Sequence, residues 1–193
     1  MKISTILFDA GGVLVVPLDP VANAQRRDRL AEDLGFRSGE EMWEHFFGGD
    51  TWIAAKTGEI VHTEMWQSLL TPLGVASPEA QREFLAQLYD NEGILPEMRL
   101  LVERLHGDYR LGILSNWDDR LEEILEDELG IARYFDAIVN SHRIGVAKPD
   151  EKAYLEALDR LGAEPQEVLF IDDRSRNTKV AAELGIHTHV YRD

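Results

Sequence analysis

Cysteine is absent from the 193-residue chain, which excludes disulfides, thiolate nucleophiles and thiolate metal ligands. Long hydrophobic runs are missing as well. No stretch approaches the roughly 20 apolar residues that cross a bilayer. The start, Met1-Lys2-Ile3, runs straight into a β-branched segment without the charged–apolar–small pattern of a secretion leader. A cytoplasmic location is the expectation. Basic residues are scarce, 20 Lys and Arg against 36 Asp and Glu, for a net charge of −16. Nucleic-acid binding calls for a clustered basic face. The densest basic stretch, Arg26-Arg27-Asp28-Arg29, is interrupted and reads as the solvated face of a helix. Neither a nucleic acid nor a membrane is therefore expected as partner. So acidic a chain also repels anionic substrates at long range, and a phosphorylated ligand would need local positive charge or a metal ion.

What is present is an alternation of short β-branched runs with longer helical patterns. Strands are expected near Ser4–Phe8, Arg110–Leu114, Phe135–Asn140, Val168–Ile171 and His187–Tyr191. Helices are expected at Pro96–His106, Asp118–Leu129, Asp150–Leu161 and Asn177–Leu184, several closed by a Leu-Gly step that suits a left-handed helix end. Near-continuous apolar strands between helices predict an α/β fold, a doubly wound, Rossmann-like parallel sheet covered on both faces. One connection is too long for a single crossover helix, because roughly a hundred residues separate the first two strands. Within it the pattern is helical throughout: Val21–Leu34, Gly39–Phe47, Thr51–Lys56, Thr63–Leu70 and Pro78–Tyr89. The expected organisation is a core of residues 1–15 and 91–193 carrying a small all-helical subdomain of residues 16–90. The aromatic content of that subdomain could serve its own core or a homodimer contact.

In a doubly wound sheet, ligands bind at the carboxyl ends of the strands. There the chain places Asp9 ("TILFDAGGVL"), Ser115-Asn116 ("LGILSNWDD"), Lys148 ("GVAKPDEKAY") and Asp172-Asp173 ("VLFIDDRSRN"). Each alone is ordinary turn or cap chemistry. In this order, on one edge, they form a set. Carboxylates can act as nucleophiles that split one displacement into two, and Mg²⁺ prefers carboxylate and carbonyl oxygens. Lys148 supplies a point charge that favours the ionised form of Asp9, and Gly11 and Gly12 leave bare amides able to form an anion-binding nest.

The ordered set resembles the haloacid dehalogenase superfamily, most of whose members are phosphatases, and the resemblance spans nearly the whole chain, including a helical cap inserted after the first motif. It implies Asp9 as the nucleophile forming an aspartyl-phosphate. Ser115 and Lys148 would hold the transferring group, with Ala10, Gly11 and Asn116 completing the phosphate site. It further implies Mg²⁺ bound by Asp9, the Gly11 carbonyl, Asp172 and Asp173, and a small phosphorylated metabolite, a sugar or nucleotide phosphate, as substrate. The sequence departs from the common pattern at Gly11, where many relatives carry a second Asp as general acid/base; loss of such a group costs on the order of 10²–10⁴ in rate. Two other readings follow from that departure. One is a metal-independent 2-haloacid dehalogenase, which the acid pair disfavours. The other is a catalytically weak relative that binds a phospho-ligand or a partner. Trp117 is expected to line the pocket or pack beneath the cap, Trp52 to pack in the cap core, and Asp50 is a weak candidate for the missing acid. Arg174 and Arg176 would balance the acid pair. His187 and His189 share a strand face, but with no third ligand nearby they read as a solvated terminal strand.

Overall fold

The computed structural model describes residues 2–192. Its strands, in chain order, are β1 (Thr5–Phe8), β2 (Val16–Pro17), β3 (Glu92–Gly93), β4 (Arg110–Ser115), β5 (Ala137–Asn140), β6 (Val168–Asp172) and β7 (His187–Val190). Five of them form a parallel sheet in the order β5-β4-β1-β6-β7, while β2 and β3 make a separate antiparallel ribbon. The direction of winding reverses on either side of β1. The carboxyl ends of β1, β4 and β6 therefore meet at the switch point where such sheets open a crevice.

Alternation along the strands builds two layers. Ile6, Phe8, Leu111 and Ile113 face one cluster with Met98 and Val102 of helix α6 (Pro96–Leu105), counting the five helices of the insertion as α1–α5. Leu7, Leu114 and Val139 face the opposite cluster with Ala153, Tyr154 and Ala157 of α9 (Glu151–Leu161). Between these two lie α7 (Leu121–Glu123) and α8 (Ser141–Ile144), and α10 (Ser175–Glu183) follows β6. The α/β architecture read from the sequence is the one observed.

Between β1 and β4 run α1 (Pro20–Asp33), α2 (Gly39–Phe47), α3 (Asp50–Lys56), α4 (His62–Leu70) and α5 (Pro78–Leu88). The expected capping signal starts α5, with the Ser77 hydroxyl accepting from Ala80 N–H at 3.1 Å. These helices bury a third cluster of their own, including Met42, Phe46, Trp66, Leu70, Phe84 and Leu88. Phe46 sits at its centre, edge-on to Trp66 at 5.1 Å and to Phe84 at 6.0 Å. Truncation of a buried phenylalanine costs about 3–5 kcal/mol, so Phe46→Ala is expected to lower the urea midpoint by that equivalent. A change under about 1 kcal/mol would place Phe46 outside the load of this cluster.

The insertion touches the sheet unit at a tight point. Gly58 has φ of +79°, and a Cβ there would lie 2.4 Å from the His142 carbonyl oxygen. His142 Nδ1 in turn donates to the Ala55 carbonyl at 2.7 Å. Left-handed strain costs on the order of 1–3 kcal/mol, and the clash falls on backbone that cannot yield. Gly58→Ala is expected to depress the melting temperature by several degrees, at about 2–4 °C per kcal/mol for a chain of this size; an unchanged melt would contradict the packing.

Three expectations are corrected. The β2–β3 ribbon at the two ends of the insertion was not foreseen, since two-residue strands carry no periodicity. The helix expected over Asp118–Leu129 begins only at Leu121 and widens into a π-turn over Ile124–Glu128. Upstream, Asp118 is held by other partners, its carboxylate taking Arg120 N–H at 3.0 Å and lying 2.7 Å from His62 Nδ1, and its carbonyl taking Asn140 Nδ2 at 2.7 Å. Finally, Arg26 and Arg27 are no solvated face. Arg26 is buried and reaches Asp90, while Arg27 pairs with Glu92 at 3.2 Å and stacks on Trp43 at 3.5 Å. Both pin α1 against the exit of the insertion. Among the described residues, no helix is long and apolar enough to cross a membrane.

Candidate functional site

Asp9 leaves the end of β1, its N–H bonded to the Ile171 carbonyl of β6 at 2.8 Å. The chain then turns sharply, with Gly12 N–H donating to the Val15 carbonyl at 3.0 Å and Val15 N–H to the Ala10 carbonyl at 2.8 Å. The two-amide nest expected from Gly11 and Gly12 is therefore not available, because Gly12 spends its amide on the turn. Gly12 serves another purpose. At φ +79°, a Cβ there would lie 2.7 Å from Asp173 Oδ2, so only glycine lets that carboxylate come close.

Around Asp9 the distant motifs converge. Its Oδ1 accepts from the Ser115 hydroxyl at 2.9 Å and from Ala10 N–H at 2.7 Å, and its Oδ2 lies 2.9 Å from Lys148 Nζ. Lys148, among the largest fully buried side chains, also meets Asp172 Oδ2 at 2.8 Å. Asp172 is fully buried and further held by Asn177 Nδ2 and by Arg174 N–H at 2.7 Å. One carboxylate oxygen from each of Asp9, Asp172 and Asp173 lies within 4.8 Å of the others.

The electrostatics of this cluster are unbalanced. Burial pushes the Asp9 carboxyl up to about 6; Lys148 pulls it down, and Asp172 pushes it up again. The expectation that Lys148 favours ionised Asp9 holds in direction, since the ammonium pulls the carboxyl down, while loss of solvent offsets that pull and leaves Asp9 above its ordinary value. Asp172 resists the same burial and is held below its ordinary value by Lys148, Arg174 N–H and Asn177. Asp173 is raised by burial and by Asp172. Three carboxylates against one ammonium leave a formal charge of −2, the deficit that a divalent cation cancels. The oxygen-only donor set suits Mg²⁺.

Because Asp9 keeps its proton to higher pH folded than unfolded, its contribution to stability is complete below about pH 4 and is lost as pH rises through about 6. In chelator, Asp9→Asn is accordingly expected to gain melting temperature over the unaltered protein between pH 4 and 7. A difference constant across that range would contradict a raised Asp9.

A cleft of about 350 Å³ opens above the cluster and is lined by both the sheet unit and the insertion. Ser115, Asn116, Lys148 and Asp173 reach it, as does Gly11. Asn116, expected on the phosphate, instead clamps the lysine loop: its Nδ2 donates to the Lys148 carbonyl and its Oδ1 accepts Lys148 N–H, each at 2.8 Å. Likewise the Ala10 amide goes to the Asp9 carboxylate. Trp117 does line the cleft, and its ring holds the space above Gly11, 3.3 Å from where a Cβ would sit. Trp52, expected in the insertion core, packs edge-on to Phe47 at 5.2 Å and faces the cleft as well. Asp50 is exposed at the start of α3 and does not line the cleft, which removes it as the missing acid. His187 and His189 are exposed on the edge strand, as read. Sequence reasoning missed Asn177, Lys56 and Arg27; only the buried-acid partner Asn177, five residues beyond Asp172, carried a local signal.

Comparison with known proteins agrees with this geometry. A family model for haloacid dehalogenase-like hydrolases matches residues 3–185. The chain is 43% identical over 136 residues to flavin mononucleotide hydrolase 1 of Arabidopsis thaliana, covering 70% of this chain and 54% of that protein. Among solved structures, HAD family enzyme bt-2542 of Bacteroides thetaiotaomicron, in a variant complexed with magnesium and inorganic phosphate, superposes with a TM-score of 0.79 at 25% identity, covering 99% of this chain and 95% of that one. The L-2-haloacid dehalogenase of Xanthobacter autotrophicus shares the fold, with a TM-score of 0.69 at 23% identity over 97% of this chain and 76% of that chain. The chain spans only 15% to 54% of the length of four curated relatives it matches. The converged acids and lysine at the switch point, and a family match across nearly every element that carries them, make this chain an enzyme of the haloacid dehalogenase-like hydrolase family.

Proposed function

We propose that the protein is a Mg²⁺-dependent phosphatase acting on a small phosphomonoester, a sugar or nucleotide phosphate, through an aspartyl-phosphate at Asp9. The observation that carries this reading is the placement of Asp9 between the Ser115 hydroxyl and the Lys148 ammonium, beside Asp172 and Asp173. Asp9 Oδ attacks phosphorus, the ester oxygen leaves, and water then hydrolyses the acyl phosphate to return the carboxylate. Ser115 and Lys148 donate to the phosphoryl oxygens as charge shifts onto the leaving group. Asp9, the Gly11 carbonyl, Asp172 and Asp173 would hold Mg²⁺, which supplies the positive charge that lets a carboxylate approach an anionic ester. Residues 16–90 form a cap over the cleft that excludes water when substrate is bound.

The acid pair argues against dehalogenation, since a halocarboxylate would meet Asp172 and Asp173 as like charges. Turnover of p-nitrophenyl phosphate with Mg²⁺, and its loss in EDTA, tests the reading. Chloride release from 2-chloropropionate without metal would overturn it, and inertness toward every ester would point to the phospho-ligand-binding relative.

Gly11 adds a kinetic prediction. With Trp117 over that position, no side-chain acid protonates the departing oxygen there, so the rate should depend on how readily the leaving group departs unprotonated. Aryl phosphates are expected to exceed alkyl phosphates of similar size in kcat by on the order of 10²–10⁴. Equal kcat values would show that a proton donor reaches the site from elsewhere.

A further inference from the structure

Lys56, Arg174 and Arg176 line the same cleft as Asp9. They come from two places, Lys56 from the last turn of α3 in the insertion and the two arginines from the start of α10 beyond β6. Among the described residues, none of the three has a carboxylate within ion-pair distance, whereas Arg27, the other cleft cation outside the acid cluster, is paired with Glu92. Lys56 is half-buried, and its ammonium is lowered by that burial and by the charges of Arg176 and Arg174. These three like charges therefore sense one another across the boundary between insertion and sheet unit.

Their placement works against the protein alone. Arg174 is the N-cap of α10 and Arg176 lies in its first turn, which contains no acid. The N-terminal end of a helix dipole favours anions and disfavours cations. In a chain of net charge −16, three cations around one cleft with no carboxylate in ion-pair distance are placed for something that arrives from outside. The reactive cluster does not supply it. Once the −2 of Asp9, Asp172, Asp173 and Lys148 is cancelled by a divalent ion, Lys56, Arg174 and Arg176 remain as cleft cations without an ion-pair partner, while Asp118 on the same cleft is taken up by His62 at 2.7 Å.

We propose that Lys56, Arg174 and Arg176 form a second anion-binding position in the cleft, which selects phosphomonoesters bearing a further anionic group, a carboxylate or second phosphate, away from the scissile phosphate. The inference rests on the phosphatase reading above, because it counts the divalent ion in the charge balance. Arg174 and Arg176 present planar donor forks suited to a carboxylate or phosphate, and Lys56 adds a point charge from the insertion. Because Lys56 belongs to the insertion, an anion held by all three joins cap and core, so the same contact that selects substrate favours the closed cleft.

Unreactive ligands separate this from turnover. The Mg²⁺-loaded protein is titrated calorimetrically with ω-phosphonocarboxylates of two to five methylenes and with alkylphosphonates of matching length. At one chain length, the phosphonocarboxylate is expected to bind at least tenfold more tightly than its alkyl counterpart. Lys56→Gln and Arg176→Gln, each checked for a cooperative melt, are expected to cut that preference to threefold or less. Equal affinity of the two series, or a preference that survives both substitutions, overturns the second anion position while leaving the phosphatase reading intact. Failure of both series to bind at any length overturns both.

Discussion

Asp9→Asn is expected to lower p-nitrophenyl phosphate turnover by at least about 10⁴-fold, the scale seen when a nucleophile that works as part of a unit is removed. The substituted amide is nearly isosteric and still accepts the Ser115 hydroxyl and Ala10 N–H that hold Oδ1. What it loses is the attacking electron pair and the charge facing Lys148 Nζ at 2.9 Å. Lys148 keeps its second partner, Asp172 at 2.8 Å, so the buried ammonium is not orphaned and the fold should survive. A cooperative melt with abolished turnover is the expected pair of results. Residual activity within tenfold of the unaltered protein would move the nucleophile elsewhere.

The second large effect separates two neighbouring acids. Asp173 is exposed, with no ion pair among those of the described residues, and contributes an oxygen to the cluster of carboxylates. Asp172 is fully buried and bonded to Lys148, Asn177 and Arg174 N–H. Mg²⁺ at one hundred times its Kd stabilises a protein by about 2.7 kcal/mol, or roughly 5–10 °C for a chain of this size. Asp173→Asn is expected to abolish that Mg²⁺-induced shift while leaving the metal-free melt nearly unchanged. Asp172→Asn is expected to abolish the shift and also to lower the metal-free stability by about 3–5 kcal/mol, because it breaks a buried pair. Equivalent behaviour of the two variants would contradict this division between a metal-facing and a structural acid.

The parts legible in the sequence were those in which one local pattern fixes both structure and position. Apolar runs ending in Asp9, Ser115 or Asp172 must be buried strands whose polar tips lie on one edge, and the parallel sheet follows from their spacing. Lys148 is less local, since it reaches Asp9 only because Asn116 grips its peptide on both sides. That clamp is a pairing over 32 residues with no periodic trace; locally Asn116 reads as a turn residue, and only the family resemblance implies a phosphate role for it. Contacts between elements far apart along the chain left no local trace. Lys56 joins Arg174 and Arg176, Trp117 fills the space over Gly11, and Arg27 stacks on Trp43, each through tertiary placement. The solvated face expected of Arg26 and Arg27 failed for the same reason: helical spacing shows which residues share a face, not what covers it.

The most direct measurement is on the covalent step. Mg²⁺-loaded protein is quenched in acid during turnover of p-nitrophenyl phosphate, digested, and mapped by mass spectrometry for an acid-stable, hydroxylamine-labile phosphoryl group. The predicted result is a phosphoryl group on the peptide carrying Asp9, absent from the Asp9→Asn variant. A phosphoryl group on Ser115 or another side chain, or steady turnover with no covalent phosphate at any quench time, would contradict an attacking carboxylate at the end of the first strand.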